Sequence, residues 1–389
     1  LLKFGVEVSA NKPEFIVHPP VGKWVIALGI QIFGDNPFGW RVMVALLGTL
    51  SILLIAKIAS RIFGALGYGL IAALLAFFDG LNLVMSRTAL LDITLTTFLL
   101  VATWFLIDRR FLFAGIFFGL ALGTKWSAIF YILLFALYFV IKEIRESDDR
   151  VNRKDLLWLI AIRKVQLVLV PLIVYLLSWI GWFLSPRGWS RSWSADNGGE
   201  FLTSIRSFIH YQFEILNFHK DLDSGHNYRS SAWQWLLQIR PTSFYYESPK
   251  CGASNCSQEV LAIGTPLLWW SGALSLIFLL ILWIRMRNHA LILLGVAAGW
   301  LPWFAFPERT TFSFYSIVFQ PWLILALVAA IKEINERLPE RIARRTRKAW
   351  LALFIGSIGA NFIYHSPIFL AFTVSYDYWR SLMWLQSWI

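Results

Sequence analysis

Apolar residues in this chain fall into ten runs, at 41–61, 68–85, 87–107, 111–124, 126–142, 164–185, 264–284, 289–306, 312–331 and 349–371. A helix needs about 20 mostly apolar residues to cross a bilayer. A chain divided this way can bury its apolar runs only against one another and against lipid. The expected class is an all-α polytopic membrane protein with about ten transmembrane helices. Composition agrees: 58% of residues are hydrophobic and 15% charged, against about 25% charged in soluble domains. The stretch 111–142 is long for one span. Gly119, Gly123, Lys125 and Trp126 interrupt it, so two helices are expected there.

Charge gives the orientation. The segments 142–164 and 332–348 carry seven Lys and Arg each, and short basic loops stay in the cytoplasm. Asp108-Arg109-Arg110 and Arg285-Met286-Arg287 fall on the same side if there are ten spans. With nine, the two most basic loops would land on opposite faces. The expected division is a first extracytoplasmic loop at 1–40, transmembrane helices at 41–185, a large outer loop at 186–263, further transmembrane helices at 264–371 and an outer tail at 372–389. Topology and anionic lipid headgroups account for the net charge of +12, which implies no nucleic-acid partner. The chain opens on Leu1 without a signal-peptide pattern, so an upstream piece is expected.

The outer loop holds seven basic and seven acidic residues. Within it, Ile205, Phe208, Ile209, Phe213 and Leu216 recur at helical spacing, which predicts a helix lying on the membrane surface. Residues 220–235 are too polar and turn-rich for helix and read as a structured loop. Cys251 and Cys256 share the same loop. An oxidising compartment would pair them as a disulfide. Two free thiols, or half a zinc site, are the alternatives, the latter without a second Cys or His pair at suitable spacing.

Ionisable residues at membrane depth are costly and usually line a cavity or pair with one another. Here they gather on the outer side. His18 and Lys23 precede the first run, Arg41 starts it, and Asp79 ends the second. Arg87 and Asp92 open the third, Lys125 joins the fourth to the fifth, and Glu308 and Arg309 join the eighth to the ninth. Singly, each has an ordinary reading. Arg41 and Lys23 could anchor at the interface. Asp92 could pair with Arg87 one turn away. Lys125-Trp126 could mark the water boundary, and His18 could be a hydrogen-bonded core histidine. Jointly, four outer segments each bring a cation beside a helix end. Convergent Arg and Lys suit a lipid-borne phosphate, and a phosphate leaving group needs positive charge where negative charge develops. The cations supply that charge, and no carboxylate cluster suited to a metal stands out.

The motifs around these residues resemble those of the protein O-mannosyltransferases, integral membrane glycosyltransferases of the GT-C fold. They include PEFIVHPPVGKW (13–24), FGWRVMVALLGTL (38–50), FDGLNLVMSRTALLDI (78–93), LGTKWSAIF (122–130), LNFHKDLDSGHNY (216–228), IRPTSFYYES (239–248), GTPLLWW (264–270), ERTTFSFY (308–315) and YWRSLMWLQSWI (378–389). The outer loop has no room for the MIR domains of eukaryotic members, so the chain looks like a bacterial, actinobacterial-like member. The resemblance implies transfer of mannose from polyprenyl-phosphate mannose to Ser or Thr hydroxyls of exported proteins. The reaction would be an inverting single displacement at the outer face of the cell membrane, with no cofactor. The implied partners are the lipid-linked donor, exported proteins at the secretion translocon, and membrane lipids.

The family fold has eleven spans, so this chain is expected to lack the first. The family also carries an Asp-Glu pair ahead of the HPP segment, with the Asp as base. No Asp-Glu pair occurs in residues 1–40. Carried over, Arg41 and Lys125 fall near the donor phosphate, joined on electrostatic grounds by Arg309. His18 matches the HPP histidine and stands with Asp92 as catalytic, although Asp92 is expected chiefly to order Arg87. His226 and Tyr228 match the HxY of the large loop and, with Arg240, imply acceptor binding or closure of the site. Arg87 and Trp126 support it. Two other readings compete. A GT-C transferase with a glycan or lipid acceptor would not need the HPPxGK and SRxxLLD motifs. A lipid-phosphate transporter would show internal repeats and broken mid-membrane helices, and no repeat is visible.

Overall fold

A computed structural model describes residues 13–146, 152–252, 254–286, 289–339 and 344–389. The chain is mostly helical, and helices occupy all ten apolar runs. Helix α1 (Val21–Phe33) lies inside the first loop and turns back at Gly34 into α2 (Pro37–Phe63). Asn36 caps α2, its side chain accepting from the N–H groups of Phe38 and Gly39, with Pro37 at the first helical position. Then follow α3 (Leu66–Phe77), α4 (Gly80–Ser86), α5 (Asp92–Ile107), α6 (Phe111–Leu122) and α7 (Ala128–Glu146). The two helices expected within 111–142 are therefore α6 and α7.

The second run is not one straight span. α3 and α4 meet at 68°. The bend follows from Asp79, whose buried carboxylate accepts from the N–H groups of Leu81 and Thr265, the indole of Trp269 and the amide of Gln320. Four donors compensate its burial without a cation. Gly80 is required beside it, because a Cβ there would lie 2.2 Å from the Phe369 ring. The third run likewise starts late: residues 88–91 form a turn and α5 begins at Asp92.

Beyond α7, a helix runs from Arg153 through a π turn (Val165–Leu169) to Ser178, the ladder loosening just ahead of Pro171. Later spans are the helices Pro266–Met286, Ala290–Trp300, Gln320–Arg337 and Arg344–Leu370. Gln320–Arg337 is apolar all round from Pro321 to Ile331 and sits buried at the centre, its Trp322 packed against the rings of Tyr131 and Phe135. Among the described residues, four helices are each long and apolar enough to cross a bilayer, or five with the α3–α4 pair. Several others, such as α6 with 12 residues, are shorter than the expected spans. Turns at the ends of these helices carry Arg87, Lys125 and Arg309.

The large loop at 186–263 departs from an all-α chain. It contains a small antiparallel sheet: β1 (Thr242–Glu247) pairs with β3 (Ser254–Ala262), which also pairs with β2 (Lys250–Cys251) and with β4 (Val374–Ser375) from the tail. Cys251 and Cys256 are joined by a disulfide across this hairpin. The helix expected in the loop is Thr203–Lys220, on the protein's surface. Its apolar stripe divides. Phe208, Tyr211 and Ile215 pack on Trp179 and Trp182, whereas Ile205, Ile209 and Phe213 face outward.

Candidate active site

The first residue of α5 and the turn between α6 and α7 meet in the interior. Lys125 Nζ donates to Asp92 Oδ1 at 2.9 Å, and both side chains are nearly sealed from solvent, at 10% and 5% exposure. The lysine also lies 4.3 Å over the ring of Tyr315. Burial of both ions is tolerable because each is the other's partner. This pairing corrects the expected Asp92–Arg87 bond. Arg87 ends α4 in a separate helix, and its guanidinium donates to the carbonyl of Phe369 instead.

The HPP segment is pinned over this pair. The N–H of Val21 donates to the carbonyl of Gly123 at 2.9 Å, just before Lys125. Gly22 sits so close that a Cβ would meet Leu91 and Thr124 below 3 Å. The surface helix holds the segment from the other side. Tyr211 bonds both N–H and C=O of Ile16, and His219 reaches the carbonyl of Val17 at 2.8 Å. His18 stacks on His219 with ring centroids 5.1 Å apart.

Arg309 closes the group. Its Nε donates to the carbonyl of His219 at 2.9 Å, and its Nη2 lies 3.2 Å from His219 Nδ1. A guanidinium can only donate. His219 Nδ1 is therefore the acceptor, and Nε2 carries the proton given to Val17. The remaining nitrogen, Arg309 Nη1, is buried without a partner among the described residues.

The sequence of these motifs is matched elsewhere. Residues 17–179 match the family described as dolichyl-phosphate-mannose-protein mannosyltransferase, and residues 204–388 match the C-terminal four-transmembrane region of protein O-mannosyltransferases. A polyprenol-phosphate-mannose–protein mannosyltransferase of Corynebacterium glutamicum is 32% identical, over 96% of this chain and 81% of that protein. This chain belongs to the protein O-mannosyltransferase family. A mannosyltransferase of the same description from Mycobacterium tuberculosis is 31% identical, again over 96% of this chain and 81% of its own length. The S. cerevisiae protein O-mannosyltransferase Pmt1-Pmt2 complex has the same fold, with a TM-score of 0.82 at 13% identity, covering 97% of this chain and 87% of that one.

Within this mannosyltransferase, His18, Asp92, Lys125 and Arg309 come together, with Trp126 at their edge. The indole of Trp126 donates to the hydroxyl of Tyr175, which donates to Gln212 on the surface helix. Arg41 stands apart. It is exposed in the second turn of α2, with no ion pair or hydrogen bond among the described residues. His226, Tyr228 and Arg240 form a separate group. Arg240 donates to the carbonyls of Asn227, Ser387 and Ile389 and lies over the Tyr228 ring, so it clamps the loop to the tail. That group reaches the centre through rings: His226 on Phe312, Phe312 on Tyr315, Tyr315 under Lys125. Sequence reasoning passed over His219 and Tyr211. His219 lies inside the quoted LNFHKDL segment, but one histidine on an amphipathic helix carries no signal without its contacts.

Burial, then the charges of Lys125, His219, Lys23 and Arg309, hold the His18 pKa down from 6.5 to about 2. His18 is thus neutral at working pH. The folded value lies below the unfolded one, so stability is full above pH 6.5 and declines as pH falls toward 2. Between pH 7 and pH 5 this one group is expected to remove about 2 kcal/mol. Thermal unfolding followed at both pH values in detergent should show the His18→Gln variant losing less stability than wild type. An equal loss in both would mean that His18 is solvated.

Proposed function

We propose that this enzyme transfers mannose from a polyprenyl-phosphate-mannose donor to Ser or Thr hydroxyls of exported proteins, at the extracytoplasmic face of the cell membrane. The observation that carries the reading is the buried Lys125–Asp92 pair beside the unpartnered Arg309 Nη1. As the bond from the anomeric carbon to the phosphate oxygen breaks, negative charge collects on the phosphate. Lys125 and Arg309 meet that charge in a site held away from water, where fixed cations act most strongly. Asp92 keeps Lys125 aimed. His18 and His219, both held neutral by burial, shape the site without adding charge. Arg41, on the exposed outer end of α2, receives the phosphate as the lipid slides in from the bilayer.

Attack by the acceptor oxygen inverts the anomeric carbon in one step, without a covalent glycosyl-enzyme. The acceptor's proton goes to a carboxylate ahead of the HPP segment, as the family pattern implies. His226, Tyr228 and Arg240 order the loop over which the acceptor chain enters near the translocon. The basic loops face the cytoplasm.

The reading is tested by incubating the protein with polyprenyl phosphomannose and a Ser/Thr peptide. Mannose should appear on the peptide. Transfer to a lipid or glycan acceptor with none to peptide would refute it. Arg41→Ala should lower kcat/KM about tenfold, a loss of about 1.4 kcal/mol. Because side-chain cations supply the charge, EDTA should leave turnover within about twofold. Abolition by EDTA and rescue by a divalent cation would overturn the metal-free mechanism.

A further inference from the structure

We propose that the face opposite the active site binds an anionic phospholipid, in a groove between α2 and the far end of α5. α5 carries Asp92 at one end and Trp104 and Asp108 at the other, about 24 Å away at 1.5 Å per residue. There a groove of about 660 Å³ is lined by Lys57, Ser60, Arg61, Trp104, Asp108 and Arg110. Three cations face one carboxylate. Arg61 pairs with Asp108 at 3.1 Å. Lys57 and Arg110 have no carboxylate partner among the described residues, so two positive charges stand in excess. Lys57 folds back over the Trp104 ring, 4.7 Å from its centroid. Arg110 stands at the N-cap of α6, whose first N–H groups have no side-chain cap and add positive potential.

The chemistry on the groove's membrane side selects the occupant. Leu46, Leu50 and Leu53 are exposed on α2 and lead, turn by turn, to Lys57 and Arg61. An apolar stripe ending in cations beside a tryptophan matches acyl chains below a phosphate headgroup. Free inorganic phosphate would use the cations but not the leucines. Simple snorkelling explains a lysine or arginine at an interface. It does not explain three converging on one hollow from α2 and from the turn between α5 and α6, the arrangement of headgroup pockets between helices. This groove shares no residue with the active site.

The test is native mass spectrometry of the delipidated full chain in detergent, given equimolar phosphatidylglycerol and phosphatidylcholine with matched acyl chains. Wild type should retain phosphatidylglycerol at least tenfold over phosphatidylcholine. Lys57→Gln alone should cut that preference at least threefold, and Lys57→Gln/Arg61→Gln/Arg110→Gln should bring it near one. Arg345→Gln/Lys348→Gln, on another basic segment, should leave it unchanged. A wild-type ratio near one, or a preference that survives Lys57→Gln, would overturn the proposal. So would displacement of the lipid by an equal concentration of inorganic phosphate.

Discussion

Replacing Lys125 with methionine should lower kcat/KM for the polyprenyl donor by about 100-fold or more, the usual cost of losing one preorganised partner of transition-state charge. The same change leaves Asp92 ionised, buried and unpaired, which costs about 3–5 kcal/mol in measured cases. Loss of activity could then reflect loss of fold, and the pair provides the separation. Asp92→Asn/Lys125→Met removes both charges and should recover most of the melting temperature lost in Lys125→Met. It should recover none of the turnover. Asp92→Asn alone keeps the cation and loses its aim, so a smaller fall of about tenfold is expected. If Lys125→Met turns over within threefold of wild type, the lysine does not meet the phosphate. If the double variant regains activity along with stability, the pair is structural only.

That Lys125 would matter was legible in the sequence, because a lysine between two apolar runs is costly unless paired or functional. Its partner was not. Helical spacing pointed Asp92 at Arg87, five positions back, which presumes one continuous helix through 87–107. The turn at 88–91 breaks it, and the aspartate at the start of α5 faces the α6–α7 turn instead. The same limit hid the α3–α4 bend. Hydropathy sees residues 68–85 as one apolar run, whereas Asp79 collects one local donor and three from two distant segments and turns the chain there. The sheet escaped for a related reason: β2 and β4 have two residues each and β4 comes from the tail, so no local pattern announces the pairing. What periodicity does record, it recorded well: the helix at Thr203–Lys220 and the break between α6 and α7 both follow from local pattern.

Arg309 carries the second large effect, and its geometry makes a conservative change informative. Its Nε and Nη2 are both committed to His219, leaving Nη1 for the donor phosphate. A lysine keeps the charge but has no planar fork with which to grip His219 and present a further donor. Arg309→Lys should therefore lose about tenfold or more in kcat/KM, and Arg309→Ala about 100-fold. The His219→Phe variant tests the grip itself. The phenyl ring preserves the stack on His18 but offers no acceptor at the Nδ1 position and no donor to Val17. The guanidinium is then held by the backbone carbonyl of residue 219 and by the Trp303 ring, 5.2 Å away. A fall in turnover with an unchanged melting temperature would show that His219 acts by aiming Arg309. A wild-type rate in His219→Phe, with Arg309→Lys still impaired, would mean that the arginine needs no aiming and meets the phosphate unaided. Wild-type rates in both Arg309 variants would remove the residue from the site and leave the phosphate to Lys125 and Arg41.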